Sequence, residues 1–165
     1  MNGLNHNALT CSAVPIPPWE RSLQTVEAQP YFNVSQASLV LEGAVFDRNN
    51  NLLFVDAATG RVFKLTPERQ LSIVLKDNSF GASGLAVHKD GRIFIASVGD
   101  MQRGSVRAIE PNGTREQMIV APDTGFLVND LVFDNQGGFY FTDSRGNSAD
   151  PQGGVFYVSP NVGSI

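Results

Sequence analysis

The sequence predicts an all-β fold assembled from repeated four-stranded sheets, and three observations support that class. The stretch at 41–47, which opens with small or polar residues and runs into an apolar strand, returns at 82–88 and 128–134. Further strand-like runs follow each copy at matching offsets. No segment keeps apolar residues at the helical spacing of i, i+3, i+4 and i+7. Repeats of roughly 40–45 residues with four strands each are typical of β-propeller blades.

The individual strands follow from turn and strand-end signals inside each unit. After each first strand we expect a tight hairpin, because Asn50, Gly91 and Gly137 are residue types that tolerate positive φ. Second strands follow, and each ends at a polar residue: Asp56, Ser97 and Asp143. Third strands are predicted at 62–65, 106–109 and 155–158, each before a proline that cannot continue a ladder. Fourth strands are predicted at 71–75 and 117–120.

These signals divide the chain into an arm and an incomplete propeller. Residues 1–30 contain the proline-fixed segment 13–18 and are predicted to form an extended N-terminal arm. Residues 31–165 form the propeller part, with blades that start near 42, 83 and 129, and 27–34 is a candidate edge strand. The third unit breaks off before a fourth strand, whereas propellers close with about 4–8 blades. We therefore expect this chain to be the N-terminal part of a longer protein.

Composition restricts the possible partners. The net charge of −4 provides no basic patch to neutralise phosphates, which argues against a nucleic-acid partner. No apolar stretch approaches the ~20 residues that cross a bilayer, and no signal peptide is recognisable. The single cysteine, Cys11, allows neither an intrachain disulfide nor a zinc-type cluster. A cytoplasmic protein without a membrane partner is the resulting expectation.

The chemistry-bearing residues lie at the starts of the first strands. In a propeller these strands line the central channel, so Glu42, Ser83, Asn129 and Asp130 are expected to converge at one mouth. Carboxylate and amide oxygens suit a hard cation such as Ca²⁺. The alternative is that Glu42 is a solvated strand end. Asp47 and Asp134 are assigned to the capping of hairpin turns.

Several motifs resemble the senescence-marker/gluconolactonase family of calcium-dependent six-bladed propellers, and most closely its bacterial drug-responsive lactonase branch. The resembling stretches are Leu-Glu-Gly at 41–43, Phe-Asp-Arg at 46–48, His-Lys-Asp-Gly-Arg at 88–92, the run at 134–143, Arg-Gly at 145–146 and the run at 153–160. The arm at 12–16 matches as well, so the resemblance covers nearly the whole chain. It implies a six-bladed propeller of which about the first three blades are present, a Ca²⁺ cofactor and the opening of small lactone rings.

The resemblance also implies roles for particular residues. Glu42 matches the blade-one glutamate that holds the catalytic calcium, and Asn129 matches a residue that lines the metal and substrate pocket. Asp130 follows it as a second substrate-binding residue. Thr124, the carbonyl of Phe126 and Gly104 fall where the branch holds a second calcium.

Two departures from the branch pattern accompany that second site. Residue 121 is alanine where an acidic residue is expected, and the loop 98–104 is one residue short.

No catalytic residue is assigned to this chain, because the family's general acid/base aspartate is expected beyond Ile165. We therefore predict a calcium-dependent lactonase-type hydrolase whose present chain is inactive alone, and a monomer when the ring is complete. The alternatives are a non-catalytic propeller that binds a partner through its loops, or an inactive truncated gene product. The identity of the lactone is not contained in these residues.

Overall fold

The computed structural model describes residues 28–76 and 81–160. The chain divides into two compact units, Met1–Tyr31 and Phe32–Ile165, and the strands that the structure describes all belong to the second. Most of the predicted arm, 1–27, lies outside the described residues. In the described part the secondary structure is eleven β-strands and one short 3-10 helix, Pro122–Thr124, which confirms the all-β class.

The strands form three antiparallel sheets that follow one another along the chain. The first contains β1 (Leu41–Phe46), β2 (Leu52–Asp56), β3 (Arg61–Leu65) and β4 (Leu71–Leu75). The second contains β5 (Ala82–Val87), β6 (Ile93–Ser97), β7 (Ser105–Ile109) and β8 (Gln117–Val120). The third contains β9 (Val128–Phe133), β10 (Phe139–Asp143) and β11 (Gly154–Val158). Each sheet pairs its strands in sequence order, as propeller blades do, and we call the sheets blades one, two and three.

The hairpin turns confirm the turn assignments made from the sequence. Asn50 adopts a φ of 58°, and Gly91 and Gly137 adopt 99° and 100°. The carboxylate of Asp47 accepts the backbone N–H groups of residues 49 and 51 at 2.8 and 2.9 Å, and that of Asp134 accepts those of residues 136, 137 and 138 at 2.7–2.9 Å. Both aspartates therefore cap turns rather than serve a site.

The edge strand expected at 27–34 is wrong for the residues that the structure describes, because 28–34 contain no strand. Side-chain hydrogen bonds replace strand pairing just downstream. The Asn33 side chain accepts the N–H of Ser35 at 3.2 Å, and the Ser35 hydroxyl accepts the N–H of Ala37 at 2.9 Å. Such local bonds compete with sheet ladders. Val34 and Leu39 instead pack against the apolar face of blade one.

Two apolar clusters join the blades. Between blades one and two lie Leu53, Val55, Val62, Ala82, Leu85, Ile93, Ile95 and Ile109. Between blades two and three lie Ala86, Phe94, Ala96, Val106, Ala108, Val120, Val128, Leu131, Phe139 and Phe141. Because side chains alternate across a strand, each blade uses one face toward its predecessor and the opposite face toward its successor. This packing sets the starts of β1, β5 and β9 side by side.

Candidate functional site at the starts of the inner strands

A β-bulge lies at the start of the inner strand in every blade. In blade one the register shifts between Glu42 and Val45, and in blade two between Ala82 and Gly84. In blade three Leu131 pairs with Phe141 and Val128 with Asp143, so two residues of β9 face one of β10. Bulges bend a strand and re-aim side chains, and they are common next to active sites. The repeated bulge therefore sets the direction of the side chains at these strand starts.

Two glycines let the bulged strands approach one another closely. A Cβ atom built on Gly43 would lie 3.0 Å from the Leu85 nitrogen and 3.1 Å from the Ser83 carbonyl oxygen. One built on Gly84 would lie 2.5 Å from Oδ1 of Asp130 and 3.1 Å from the carbonyl oxygen of Asn129. The strand starts of the three blades are thus in backbone contact, as the sequence predicts.

The predicted site residues occupy this junction in different ways. Glu42 and Asn129 are exposed, on strands that both neighbour β5. Ser83 is buried, and its hydroxyl donates to the carbonyl oxygen of Val128 at 3.3 Å, so it ties blade two to blade three. Asp130 is exposed, but its Oδ1 accepts the N–H of Leu131 at 2.8 Å. One carboxylate oxygen of Asp130 is therefore held in place by the backbone.

Buried carboxylates support the first and third strand starts, and sequence reasoning assigned them no role. Asp56 is fully buried, and its Oδ1 accepts the N–H of Val40, directly before β1, at 3.0 Å. Asp143 is also buried, and its Oδ1 accepts the N–H of Leu127, directly before β9, at 3.0 Å. The signal in the sequence was an acidic residue at the end of the second strand in two of three repeats.

Blade two replaces this carboxylate with Ser97, whose shorter side chain accepts only the N–H of Gly99, at 3.0 Å, among the bonds described. The N–H before β5, that of Gly81, donates instead to the carbonyl oxygen of Ala57 in blade one, at 2.8 Å. A buried backbone N–H requires an acceptor, and the carbonyl group of Ala57 in the preceding blade is the acceptor that Ser97 does not provide. The entry of β5 is thereby attached directly to blade one.

Hydrogen bonding keeps Asp56 ionised. Burial alone raises the pKa of its carboxyl group, but the Thr59 hydroxyl at 2.6 Å and the N–H groups of Val40 and Ala58 outweigh it and lower the pKa below the ordinary value. Its oxygens are therefore engaged in holding the loop, and Asp56 is a structural carboxylate rather than a proton carrier.

The residues of the expected second calcium site are partly gathered. The N–H of Gly104 donates to the carbonyl oxygen of Phe126 at 2.7 Å, so these two residues are in direct contact. Thr124 is exposed at the end of the 3-10 helix, and its hydroxyl donates to the carbonyl oxygen of Ala121 at 2.7 Å. Each of these oxygens already has a protein partner, and no carboxylate is placed beside them by the bonds described. The second site stays a prediction.

The oxygen-bearing side chains at the strand starts are of the chemical type that binds a hard cation. Glu42 supplies a carboxylate and Asn129 a neutral amide oxygen, both of which calcium accepts in proteins. Within residues 28–76 and 81–160 no group of three or more acidic, histidine or cysteine side chains is placed to hold a metal. Calcium takes about 6–8 oxygen ligands in proteins, more than the side chains of Glu42 and Asn129 would offer.

Two loop arginines are paired with aspartates two or three residues earlier in the chain. Arg145 donates from Nε to Oδ2 of Asp143 at 2.6 Å, and Arg103 contacts Oδ2 of Asp100 at 3.2 Å. They help to hold their loops in place.

The part of the chain that is described contains no helix with the length and hydropathy needed to cross a membrane.

Comparison with known families gives the class of the protein. Residues 40–165 match the SMP-30/Gluconolactonase/LRE-like region. This match covers most of the chain, and it begins directly before β1, so it coincides with the three blades. The chain therefore belongs to the SMP-30/Gluconolactonase/LRE-like family.

Its curated relatives include proteins named lactonase drp35. The one from Staphylococcus haemolyticus (strain JCSC1435) is 39% identical over 165 residues, which cover 98% of this chain and 50% of the relative. The one from Staphylococcus aureus (strain USA300) is 40% identical over 157 residues, 93% of this chain and 48% of the relative. The chain thus spans about half the length of the curated relatives it matches.

Solved structures share the fold at lower identity. A gluconolactonase from Xanthomonas campestris superposes with a TM-score of 0.61 and 22% identity, over 78% of this chain and 46% of that one. A chain of a nidogen/laminin complex gives a TM-score of 0.58 at 18% identity, over 76% of this chain and 51% of that one. Both confirm the propeller fold, and both are matched over about half their length.

Proposed function

We propose that this chain supplies the first calcium ligand of a hydrolase that opens lactone rings. The observation that carries the proposal is the junction of bulged strand starts, which presents the exposed Glu42 and Asn129 on strands that both neighbour β5. Membership of the gluconolactonase family and identity of about 40% to proteins named lactonase support the reaction class.

Each residue has a definite part in this proposal. Glu42 would hold the cation through its carboxylate, and the amide of Asn129 would add a neutral oxygen and line the substrate pocket. Asp130, whose Oδ1 is fixed by the Leu131 N–H, would offer its other oxygen to a hydroxyl group of a small lactone. A Ca²⁺ ion held there would polarise the ester carbonyl and stabilise the charge that develops on its oxygen.

The second calcium position is proposed at Thr124, the carbonyl of Phe126 and Gly104. Its support is the contact between Gly104 and Phe126 and the exposed Thr124 hydroxyl in the same segment. We assign this position to stabilisation of the loop before β9 rather than to the reaction.

We expect the 165-residue chain to be inactive alone, because ring opening needs a carboxylate that activates water and none of the described residues is assigned that role. We further propose a cytoplasmic location and no nucleic-acid partner, in keeping with the net charge of −4. A complete six-bladed ring, which has no open blade faces, is expected to be a monomer.

The experiment is a calcium titration by calorimetry, paired with a lactone hydrolysis assay. In the full-length protein, Glu42→Gln removes the negative charge and keeps the shape, so we expect calcium affinity to fall at least about tenfold. The matched control is Glu68→Gln, at an exposed turn in blade one. An unchanged titration for Glu42→Gln contradicts the ligand assignment. Calcium-dependent turnover by the chain alone contradicts the inactivity.

A further inference from the structure

Each proposed cation-binding side chain lies two positions after a residue whose backbone is bonded to the end of the second strand. In blade one this residue is Val40, two positions before Glu42. Its N–H donates to Oδ1 of Asp56 at 3.0 Å, and its carbonyl oxygen accepts the N–H of Ala57 at 2.8 Å. The path of β1 is therefore fixed on the N-terminal side of Glu42.

Blade three repeats this arrangement at Leu127, two positions before Asn129. The N–H of Leu127 donates to Oδ1 of Asp143 at 3.0 Å, and its carbonyl oxygen accepts the N–H of Ser144 at 3.0 Å. Asp56 and Asp143 occupy the same repeat position, the last residue of the second strand, and both are buried. The same pair of bonds therefore precedes both side chains to which calcium binding is assigned.

Blade two differs at this position. Its second strand ends at Ser97, whose hydroxyl accepts the N–H of Gly99 at 3.0 Å. The N–H of Gly81, two positions before Ser83, donates to blade one instead. The hydroxyl of Ser83 is itself engaged, because it donates to the carbonyl oxygen of Val128. The buried carboxylate thus accompanies the two inner strands that present a proposed cation ligand, and serine accompanies the inner strand whose polar side chain joins two blades.

Glu42 lies at the edge of a bulge, where strand pairing alone does not fix the direction of a side chain. The register of β1 shifts between Glu42 and Val45, and Gly43 inside this bulge has a φ of 62°. A bulge re-aims side chains, and glycine adopts many backbone conformations. A metal ligand must be held within roughly 0.5 Å of its productive position. The bonds of Val40 to residues 56 and 57 provide this support from the N-terminal side.

The carboxylate of Asp56 is itself held at both oxygens. Its Oδ2 accepts the hydroxyl of Thr59 at 2.6 Å, and its Oδ1 also accepts the N–H of Ala58 at 3.2 Å. The side chain is fully buried. A carboxylate in this position acts on a cation at the strand starts through the residue whose backbone it holds.

We propose that Asp56 and Asp143 are positioning residues, which set the affinity for calcium by fixing the directions of Glu42 and Asn129. This inference rests on the proposed function, because it concerns the same calcium site. Groups that orient metal ligands typically change metal affinity by about 10–100-fold when they are removed. Asp56 has the larger expected effect, because Glu42 supplies a charged oxygen and Asn129 a neutral one.

The test is a calorimetric calcium titration of the full-length protein with two substitutions at Asp56. Asp56→Ser introduces the residue type of blade two, which keeps an acceptor for the N–H of Ala58 but is too short to reach that of Val40. Calcium affinity is expected to fall at least about tenfold. Asp56→Asn keeps an oxygen for both N–H groups, so most of the affinity is expected to remain.

Two outcomes of this comparison overturn the proposal for Asp56. One is an unchanged affinity in Asp56→Ser that circular dichroism shows to be folded. The other is an equal loss in both variants, because the negative charge of Asp56 and not its bond to Val40 would then be the cause.

Thr59→Val provides the same test if Asp56→Ser does not fold. It removes only the hydroxyl bond to Oδ2 and leaves the carboxylate less firmly held. Calcium affinity is expected to fall about two- to fivefold, less than for complete removal of the orienting group. An unchanged affinity in this variant contradicts the proposal.

Blades three and two supply the second variant pair. Asp143→Ser is expected to lower calcium affinity, but by less than Asp56→Ser, and an unchanged affinity removes Asp143 from the proposal. Ser97→Ala is the matched control in blade two, because its hydroxyl bond to Gly99 does not hold an inner strand. Its calcium affinity is expected to be unchanged. A loss equal to that of Asp56→Ser would show that any change at the end of a second strand is sufficient, which contradicts the proposal.

A double-mutant cycle shows whether Asp56 acts through Glu42. In a Glu42→Gln background, the further substitution Asp56→Ser is expected to have little effect, because residues that act through one another are not additive. Additive losses contradict the inference. A loss in Glu42→Gln with none in Asp56→Ser contradicts this inference and leaves the proposed function intact. An unchanged titration in Glu42→Gln removes the ligand assignment itself, and this inference with it.

Discussion

The carboxylate of Asp130 occupies the space that a side chain on Gly84 would need: a Cβ atom built at Gly84 lies 2.5 Å from Oδ1 of Asp130 and 2.9 Å from its Cα. The glycine in blade two therefore determines where the carboxylate of blade three can lie. Because Oδ1 also accepts the N–H of Leu131, the group is held from two sides at the junction of the strand starts.

Gly84→Ala is expected to destabilise the fold by about 1–3 kcal/mol, because the methyl group meets backbone as well as the carboxylate and forces β5 away from β9. Urea unfolding monitored by circular dichroism measures the change. Gly154→Ala is the matched control, since the nearest atom there is a Phe156 ring carbon at 3.3 Å. Equal stability of the two variants would contradict the close contact.

Asp56→Ala is expected to cost about 1–3 kcal/mol, because it removes a fully buried carboxylate that accepts the N–H of Val40. Asp56→Asn keeps an acceptor oxygen for that N–H and should cost less. The same unfolding measurement ranks the two variants, with Asp100→Ala in an exposed loop as reference. If the alanine and asparagine variants were equally stable, the bond to Val40 would have no role in stability.

The free energy of unfolding at acid pH should depend on the titration of the carboxyl groups that hold the turns. In Asp90, burial raises the pKa, but the bonds from the Arg92 N–H, His88 and the Arg92 side chain outweigh it and lower the pKa to about 2. A pKa that is lower in the folded state gives stability that is complete above the unfolded value of 3.8 and is lost as the pH falls toward 2. Unfolding free energies should therefore decrease between about pH 4 and pH 2.

Asp90→Asn should flatten part of this pH dependence, because the substituted side chain does not titrate. The comparison requires urea unfolding of both proteins at each pH. A wild-type protein whose stability is constant down to pH 2 would show that these carboxyl groups titrate alike in the folded and unfolded chain.

The hydroxyl of Tyr157 should titrate above its ordinary range. It donates to Oδ2 of Asp134 at 2.8 Å, and this bond raises the pKa of the tyrosine. Asp134→Asn removes the charge that disfavours the phenolate, so the pKa of Tyr157 should fall. Ultraviolet difference titration detects the change, with Tyr157→Phe identifying the signal. If the pKa of Tyr157 were unchanged in Asp134→Asn, Asp134 would not be the cause of its raised value.

Much of the fold could be predicted from local patterns. Third strands predicted at 62–65, 106–109 and 155–158 each begin only one residue earlier in the structure, and both predicted fourth strands have the observed bounds. These features depend on strand periodicity, prolines and turn residues, which act over a few residues. The prediction of a strand over 28–34 was wrong because it rested on β-forming residue types alone. It did not take into account the side-chain hydrogen bonds of Asn33 and Ser35.

The candidate site was predictable in part. Equivalence of the strand starts follows from the repeat, and the contacts of Gly43 and Gly84 confirm that these starts come together. The bulges and the support by Asp56 and Asp143 were not predictable, because an extra residue in a strand is defined only by the register of its partner. The metal and substrate roles of Glu42, Asn129 and Asp130 stay predictions.

By itself the sequence determined the three repeated sheets of residues 28–76 and 81–160, the bounds of most of their strands and the position of one carboxylate at an inner strand start. Only the tertiary structure decided what the polar residues at those starts do. Ser83 is buried and its hydroxyl bonds to blade three, whereas Glu42 and Asn129 are exposed. The position of the Asp130 carboxylate depends on Gly84 in the neighbouring blade. The physical reason is that residues close in sequence determine which segments form strands. The burial and direction of a side chain depend instead on contacts with a neighbouring blade, which lies roughly one repeat away along the chain.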